Sequence, residues 1–456
     1  MPKPSNSPAD QLLCPEWLLT LDTQAADSGL QPLENHALIL AGSEILDILP
    51  QKQARVAYPH LEPQYLDNQV LLPGLHNMHG HAGMTLFRGM ADDLPLMTWL
   101  EEHIWPAEGQ HVSEDFVRAG TRLAIAEMLL NGTTCFSDMY FFPEVVAQVA
   151  EEMGIRALIC APIIDFPNPW SSSADDALEK TQALYRQYQD NPLVKLAFGP
   201  HAPYTVSDAS LKKLLDINRD LQLKVQMHVH ETAFEVAQAM EDNGINPLHR
   251  LDQLGLVDAN FQAVHLTQAT SEDIQLLADR QASVVHCPQS NLKLASGFCA
   301  VEALHQAGVS VSLGTDGAAS NNDLDLWAEM QTAALLAKAV HQDAAALPAT
   351  AALQMATVEG GKALASSPFT GQIRKGFAAD LCSLKLDAPD CWPIHHLTSQ
   401  LVYGRMGDKV QQVWVAGQQR VKDGKLCGLD LKLLKSEAAA WRNRIQESFQ
   451  SQDADA

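Results

Sequence analysis

The sequence predicts a (β/α)8 barrel joined to a small β-sandwich that both chain ends build together, and three observations predict it. From residue 70 onward, eight short apolar runs of strand character alternate with helix-like segments. Histidines and acids recur at the C-terminal ends of those runs. The flanks, residues 35 to 70 and 371 to 424, instead show short alternating runs punctuated by Gly, Asp and Asn, the pattern of hairpins.

The strand candidates, in order, are "VLLPGLHNMHGH", "TTCFSDM", "RALICAPI", "VKLAFGPHAP", "KVQMHVHE", "QAVHL", "ASVVHCP" and "VSVSLGTD". Between them, helical apolar spacing with Gly or Asn near several ends marks segments such as "EDFVRAGTRLAIAEMLLNG", "PEVVAQVAEEMG" and "SEDIQLLADR". The expected division is a barrel over residues 71–367, flanked by 1–70 and 368–456. Neither flank suffices for an independent sheet, so the two are expected to combine. Residues 429 to 456 read as a helix ending in a solvated acidic tail, "SQDADA".

Composition narrows the function. With 46% hydrophobic and 19% charged residues in a chain of 456, the protein is globular with a large core. Its 31 basic and 55 acidic residues give a formal charge of −24 without a Lys/Arg run, which disfavours nucleic acid as a partner. Eight scattered cysteines without a C-x-x-C pair argue against a zinc ribbon, a redox dithiol or a disulfide framework. The N-terminal stretch lacks the pattern of a secretory signal, and no run is long enough to span a bilayer, so a cytoplasmic enzyme is expected.

The segment "LPGLHNMHGHAGM" places three of the chain's 17 histidines within six positions. Alternation in an extended segment projects His79 and His81 together and leaves His76 off that pair. An isolated H-x-H divides evenly between a metal site and chance clustering; further ligands decide. "QMHVHET" supplies His228 and Glu231 at the exit of the fifth strand, and "LGTDGAASNN" supplies Asp316 at the exit of the eighth. Three imidazoles and a carboxylate suit Zn2+ or Fe2+ and leave one coordination position free. His79, His81, Asp138, His201, His228, Glu231, His265, His286 and Asp316 all fall at the barrel face where active sites are built.

These motifs resemble the amidohydrolase superfamily: H-x-H after the first strand, H-x-x-E after the fifth, a histidine after the sixth and T-D-G after the eighth. The longer strings "HGHAGMTLFRGMADDLPLMTWLEEHIWPAE", "FGPHAPYTVS", "HCPQSNLKLASG" and "LGTDGAASNNDLD" are similar to the 5′-methylthioadenosine/S-adenosylhomocysteine deaminases within it. The resemblance spans nearly the whole chain. It implies that His79, His81, His228 and Asp316 hold one divalent ion per subunit, usually zinc. It also implies that Glu108 and His201 contact a purine nucleoside, that Glu231 and His265 are catalytic, and that the chain forms a homodimer or tetramer.

The chemistry expected is hydrolytic removal of the adenine amine. A divalent metal lowers the pKa of its water from 15.7 to about 7, preparing attack at C6. Asp316 can accept the proton, His265 can orient the nucleophile, and Glu231 is placed to protonate ring N1. Glu108 reads as a clamp for the ribose 2′ and 3′ hydroxyls or as a helix-start glutamate after Pro106; the resemblance tips it to ribose. His286 is expected to contact the pocket, and Trp99, Trp105 and Phe87 either flank the purine or pack. Asp138 is either a partner fixing a histidine tautomer or a strand-end cap. His76 and His230 read as scaffold, and Asn321 and Asn322 as turn formers. One alternative keeps fold and metal but acts on a free base or triazine, as guanine deaminases and s-triazine hydrolases do. Another is a non-catalytic scaffold.

Overall fold

The computed structural model describes residues 8–25, 29–364 and 369–455, with side chains as far as residue 448. The side chains of the expected acidic tail, and the boundary expected at 367/368, lie outside the described residues.

Eight parallel strands follow one another in sequence order: Leu75–Asn77, Thr133–Asp138, Arg156–Ile163, Val194–Pro200, Lys224–Val229, Phe261–His265, Ser283–His286 and Ser310–Leu313. The first and last meet where the Met78 N–H donates to the Leu313 carbonyl at 2.8 Å, which closes the barrel. Alternate residues face inward and outward. Leu158, Cys160, Ala197, Val264 and Val285 pack in the lumen with Met78. Ala157, Ile159, Ala263 and Val284 join the core beneath the helices. Both faces are buried, so the strands read as continuous apolar runs.

The helices follow local signals. Ser113 accepts from the Phe116 N–H at 3.3 Å and starts the helix Glu114–Leu130, which buries Val117, Ala124 and Ile125. Thr270 and Asp273 form a reciprocal capping box at the helix Ser271–Arg280. Helical residues 96–111 pass through a π-helical stretch, Trp99–Ile104, a distortion often found at functional sites. No helix among the described residues is long and apolar enough to cross a membrane.

The run beginning at Val70, expected as one strand, is divided between two sheets. Pro63–Pro73 pairs with Gln11–Leu18 and Leu381–Lys385, and only Leu75–Asn77 enters the barrel. Gly74 makes the changeover, since a Cβ there would collide with the Thr134 side chain.

Both chain ends do combine, into one continuous mixed sheet of nine strands. It curls until the turn at Gly417, with φ +72°, lies against Gly42 and Ser43. Leu13, Leu38, Leu71, Leu381 and Trp414 thereby share one core. An ion pair locks this unit to the barrel: Arg156, on the third barrel strand, donates to Asp380 at 2.8 and 3.1 Å.

Candidate metal centre and active site

The His79 and His81 rings and the Asp316 carboxylate meet at the C-terminal end of the barrel. His81 Nε2 lies 3.1 Å and His79 Nε2 3.6 Å from Asp316 Oδ1. His228 Nε2 lies 3.1 Å from His79 Nε2. Two groups with metal-ligand spacing overlap here, His79–His81–Asp316 and His79–His228–His265, with His79 in both. The backbone ties the first to the eighth strand, as the Asp316 N–H donates to the His79 carbonyl at 3.0 Å.

The donor set fits a cation. The Nδ1 atoms of His79, His81 and His228 each face an oxygen that can only accept: Gln226 Oε1 at 2.8 Å, the Met139 carbonyl at 2.6 Å and the His201 carbonyl at 2.7 Å. Each Nδ1 therefore carries a proton, so that each ring, when neutral, turns its Nε2 lone pair inward. The facing lone pairs of His79 and His228 repel unless a positive charge sits between them. Protonation supplies it poorly, because burial and the neighbouring imidazoles drive the His228 pKa well below its ordinary value. A divalent cation satisfies all of these donors.

Asp316 is held as a carboxylate. Burial alone would raise its pKa, but the imidazoles of His79 and His81 beside it keep it well below the usual range. Its Oδ2 accepts from Ser290 at 2.6 Å and Ser320 at 2.8 Å, and its Oδ1 from the Gly317 N–H at 2.8 Å.

Glu231 and His265 face each other beside this centre, with Glu231 Oε1 3.8 Å from His265 Nε2. Among the described residues the Glu231 carboxyl has no hydrogen-bond partner. Burial, and then the charge of Asp316, push its pKa up to about 8, which holds a proton on it at neutral pH. The Glu231 main chain is fixed, as the N–H groups of His230 and Glu231 both donate to the Glu235 carboxylate at 3.0 and 2.8 Å. His265 is set by Asn291, whose Oδ1 lies 2.9 Å from Nδ1.

Backbone conformation decides which strand-end histidines reach the site. Phe261 and Ala263 pack outward beneath the helices, so simple alternation would send His265 outward too. A left-handed φ of +72° turns it back into the cavity. Asp316 also holds a left-handed φ, +61°. Such conformations cost about 1–3 kcal/mol for a residue with a Cβ, and concentrate at functional sites.

A cavity of about 400 Å³ opens over the centre, and its wall includes Trp99, Trp105, Glu108, His201 and Glu231. Glu108 accepts from the Tyr140 hydroxyl at 2.8 Å, and burial pushes its pKa up to about 7. His201 Nδ1 lies 3.1 Å from Thr205 Oγ1. Burial, and then the neighbouring His81 and His79 rings, lower the His201 pKa to about 4, so its ring is neutral.

His286 is the correction. Its ring was expected in the pocket, but it shares the outward side of its strand with Val284, and no left-handed turn brings it back. It lines a separate, much smaller cavity with Cys299, Val301 and Ala333. Phe87 is buried in the core against Phe116, at a ring separation of 4.8 Å. Asp138 caps a loop, accepting from the Ala82 N–H at 2.5 Å, while His81 takes its tautomer from Met139. His76 hydrogen-bonds the Gly74 carbonyl, and His230 turns to Asn246; neither joins the ligand groups. Asn322 caps a short helix with φ +85°, and Asn321 donates to the Thr315 carbonyl.

Sequence reasoning missed the residues that hold the site: Gln226, Tyr140, Glu235, Ser290, Asn291 and Ser320. The available signal was a polar residue inside an otherwise apolar strand, as at Gln226 in "KVQMHVHE".

Comparison with known proteins shows the family. The 5-methylthioadenosine/S-adenosylhomocysteine deaminase of Saccharophagus degradans is 46% identical over 442 residues, covering 97% of this chain and 98% of its own. The 5'-deoxyadenosine deaminase of Methanopyrus kandleri is 41% identical over 365 residues, covering 80% and 84%. The crystal structure of a zinc-bound adenosine deaminase from Xanthomonas campestris matches with a TM-score of 0.93 at 45% identity, covering 97% of this chain and all of that one (100%). The amidohydrolase family model matches residues 70–420. By that match, and by relatives of this identity over nearly its whole length, the chain belongs to the amidohydrolase family.

Proposed function

We propose that this protein is a zinc-dependent deaminase of 5′-modified adenosines, which replaces the amine at C6 of the purine by oxygen from water and releases ammonia. The observation that carries this reading is the pairing of Glu231 with His265, 3.8 Å apart, beside a centre of three inward-facing imidazoles and Asp316. The names of the relatives point to the same substrates, 5′-methylthioadenosine, S-adenosylhomocysteine and 5′-deoxyadenosine.

The residues divide the work. His79, His81, His228 and Asp316 would hold the ion, which when bound acidifies water at neutral pH. His265 presents Nε2 to the attacking water and orients it. Asp316 accepts the proton that the water gives up. Glu231, protonated at neutral pH, delivers its proton to N1 and so draws the developing charge out of the ring. The Glu231 carboxylate then takes the proton that the new C6 hydroxyl gives up as it becomes a carbonyl and passes it to the amine, which leaves as ammonia when the C6–N bond breaks; the proton held by Asp316 returns to Glu231. Glu108 takes the ribose hydroxyls on the oxygen that Tyr140 leaves free, while His201 and Trp99 bound the nucleoside. Seven buried, unpaired cysteines suit a reducing, cytoplasmic setting.

The test is ammonia release, with the ultraviolet change from adenine to hypoxanthine, on 5′-methylthioadenosine, S-adenosylhomocysteine, adenosine, adenine and guanine in parallel. Turnover of the nucleosides but not of the free bases is expected. Turnover of a base alone would move the function to the guanine-deaminase alternative.

A further inference from the structure

We infer that Gln226, backed by Gln262, is a positioning residue for His79, holding that ring in the one tautomer that can ligate a metal. The inference rests on the proposed role of His79 as a ligand and adds what fixes its proton.

The two glutamines stand side by side because the fifth and sixth barrel strands are in register there, with Gln226 opposite Gln262. Both are completely buried. The surrounding lumen layer is apolar, with Met78, Leu158, Val264 and Val285. An amide in such surroundings is destabilising unless its hydrogen bonds are made.

The bonds run in one direction. Gln262 Nε2 donates to the Ala363 carbonyl at 2.9 Å, which leaves Gln262 Oε1 as an acceptor. Gln226 Nε2 donates to that oxygen at 2.9 Å and to the Met78 carbonyl at 2.9 Å. Carbonyl oxygens only accept, so neither amide can turn over without setting oxygen against oxygen. The one remaining polar atom of Gln226 is Oε1, 2.8 Å from His79 Nδ1. It accepts, so Nδ1 must carry the ring's proton and Nε2 must carry the lone pair. A relay anchored on two main-chain carbonyls thus sets the tautomer of the histidine common to both ligand groups.

The test separates tautomer control from general stability. Zinc affinity of the full chain is measured by competition with a chelator, together with the melting temperature of the metal-free protein, for the parent, Gln226→Met and Gln226→Glu. Gln226→Met removes the acceptor, and a loss of about 10–100-fold in zinc affinity is expected. Gln226→Glu keeps an acceptor against Nδ1 but gives up both donors; it should melt lower yet bind zinc within about threefold of the parent. Affinity that falls together with melting temperature in Gln226→Glu, by more than about threefold, overturns the inference, as does parent-like affinity in Gln226→Met. Gln226→Glu decides alone if Gln226→Met does not fold. A parent that takes up no zinc would defeat the metal reading itself, an outcome distinct from either.

Discussion

Two buried charged clusters in this molecule are built on opposite principles. At the seam between the barrel and the sheet, Arg156 and Asp380 satisfy each other completely: Arg156 also donates to the Pro192 carbonyl, and Asp380 accepts from Thr370 and the Ala416 N–H. At the other cluster, His79 and His228 turn lone pairs toward each other, and Glu231 has no hydrogen-bond partner among the described residues. The seam stores nothing that a ligand could use. The catalytic end is left incomplete, so an ion and a substrate complete it. Saturation therefore separates structural charge from chemical charge in a chain where both are buried.

The contrast breaks most visibly at Glu231. Replacing it by Gln keeps the shape but removes the proton that N1 would receive, so kcat should fall by roughly 10²–10⁴-fold. Zinc content should not change, because Glu231 is outside the ligand groups. Equal losses of zinc and rate would place Glu231 among the ligands instead.

At the seam the same kind of change should act on stability alone. Asp380→Ala leaves Arg156, a residue only 2% exposed, without its counter-charge, and the expected loss is about 3–5 kcal/mol in chemical denaturation. The folded fraction should retain its kcat. A lost kcat at full folding would mean that the seam communicates with the centre.

How far the two clusters were legible in the sequence follows from this difference. H-x-H, H-x-x-E and T-D-G are short strings of polar residues at strand exits, where an apolar run stops for no other reason, and they announce His79, His81, His228, Glu231 and Asp316. Arg156 and Asp380 lie 224 residues apart, and nothing local marks either as the other's partner. The pairing of Gln226 with Gln262 depends on strand register across 36 residues. The divided run at Gly74 was hidden because both halves are apolar. Strand seven was misread for a related reason: apolar on both faces, it shows no alternation, so nothing told which side His286 would take.

Glu108 gives a smaller and pH-dependent test of the catalytic side. As a carboxylate it can accept two hydroxyl protons. Glu108→Gln should raise the KM for ribonucleosides by about 10–100-fold, the value of hydrogen bonds to a charged group of about 1.5–3 kcal/mol. Its pKa, about 7, is raised from the ordinary glutamate value by burial, so the clamp is half neutral at that pH. Hydroxyl binding favours the ionised form. In the parent, kcat/KM should therefore rise with pH through about 7, and that limb should vanish in Glu108→Gln. Linkage gives the opposite sign for folding: the folded state keeps a proton that the unfolded chain releases, so this group's contribution to stability declines as pH rises from the ordinary glutamate range to about 7. A limb that persists in the variant would assign the titration to another group.

The smallest expected effect lies at His286, where strand geometry and motif position disagree. By position in the sequence it belongs with His265, at the end of a barrel strand. By side-chain direction it belongs with Val284 and the helix layer, and its Nδ1 is buried without a hydrogen-bond partner among the described residues. An unsatisfied buried polar atom is destabilising by about 1–3 kcal/mol, so His286→Leu should leave melting temperature unchanged or raised. It should also leave kcat/KM within about twofold, because the ring lies outside the cavity that holds Glu231 and His265. His265→Leu is the matched control: the same exchange, on a ring that a left-handed backbone turns inward, should abolish most turnover. Similar rate losses at both positions would show that a strand-end address alone makes a histidine functional. Separate outcomes would show that the backbone dihedral at the last strand residue makes the choice.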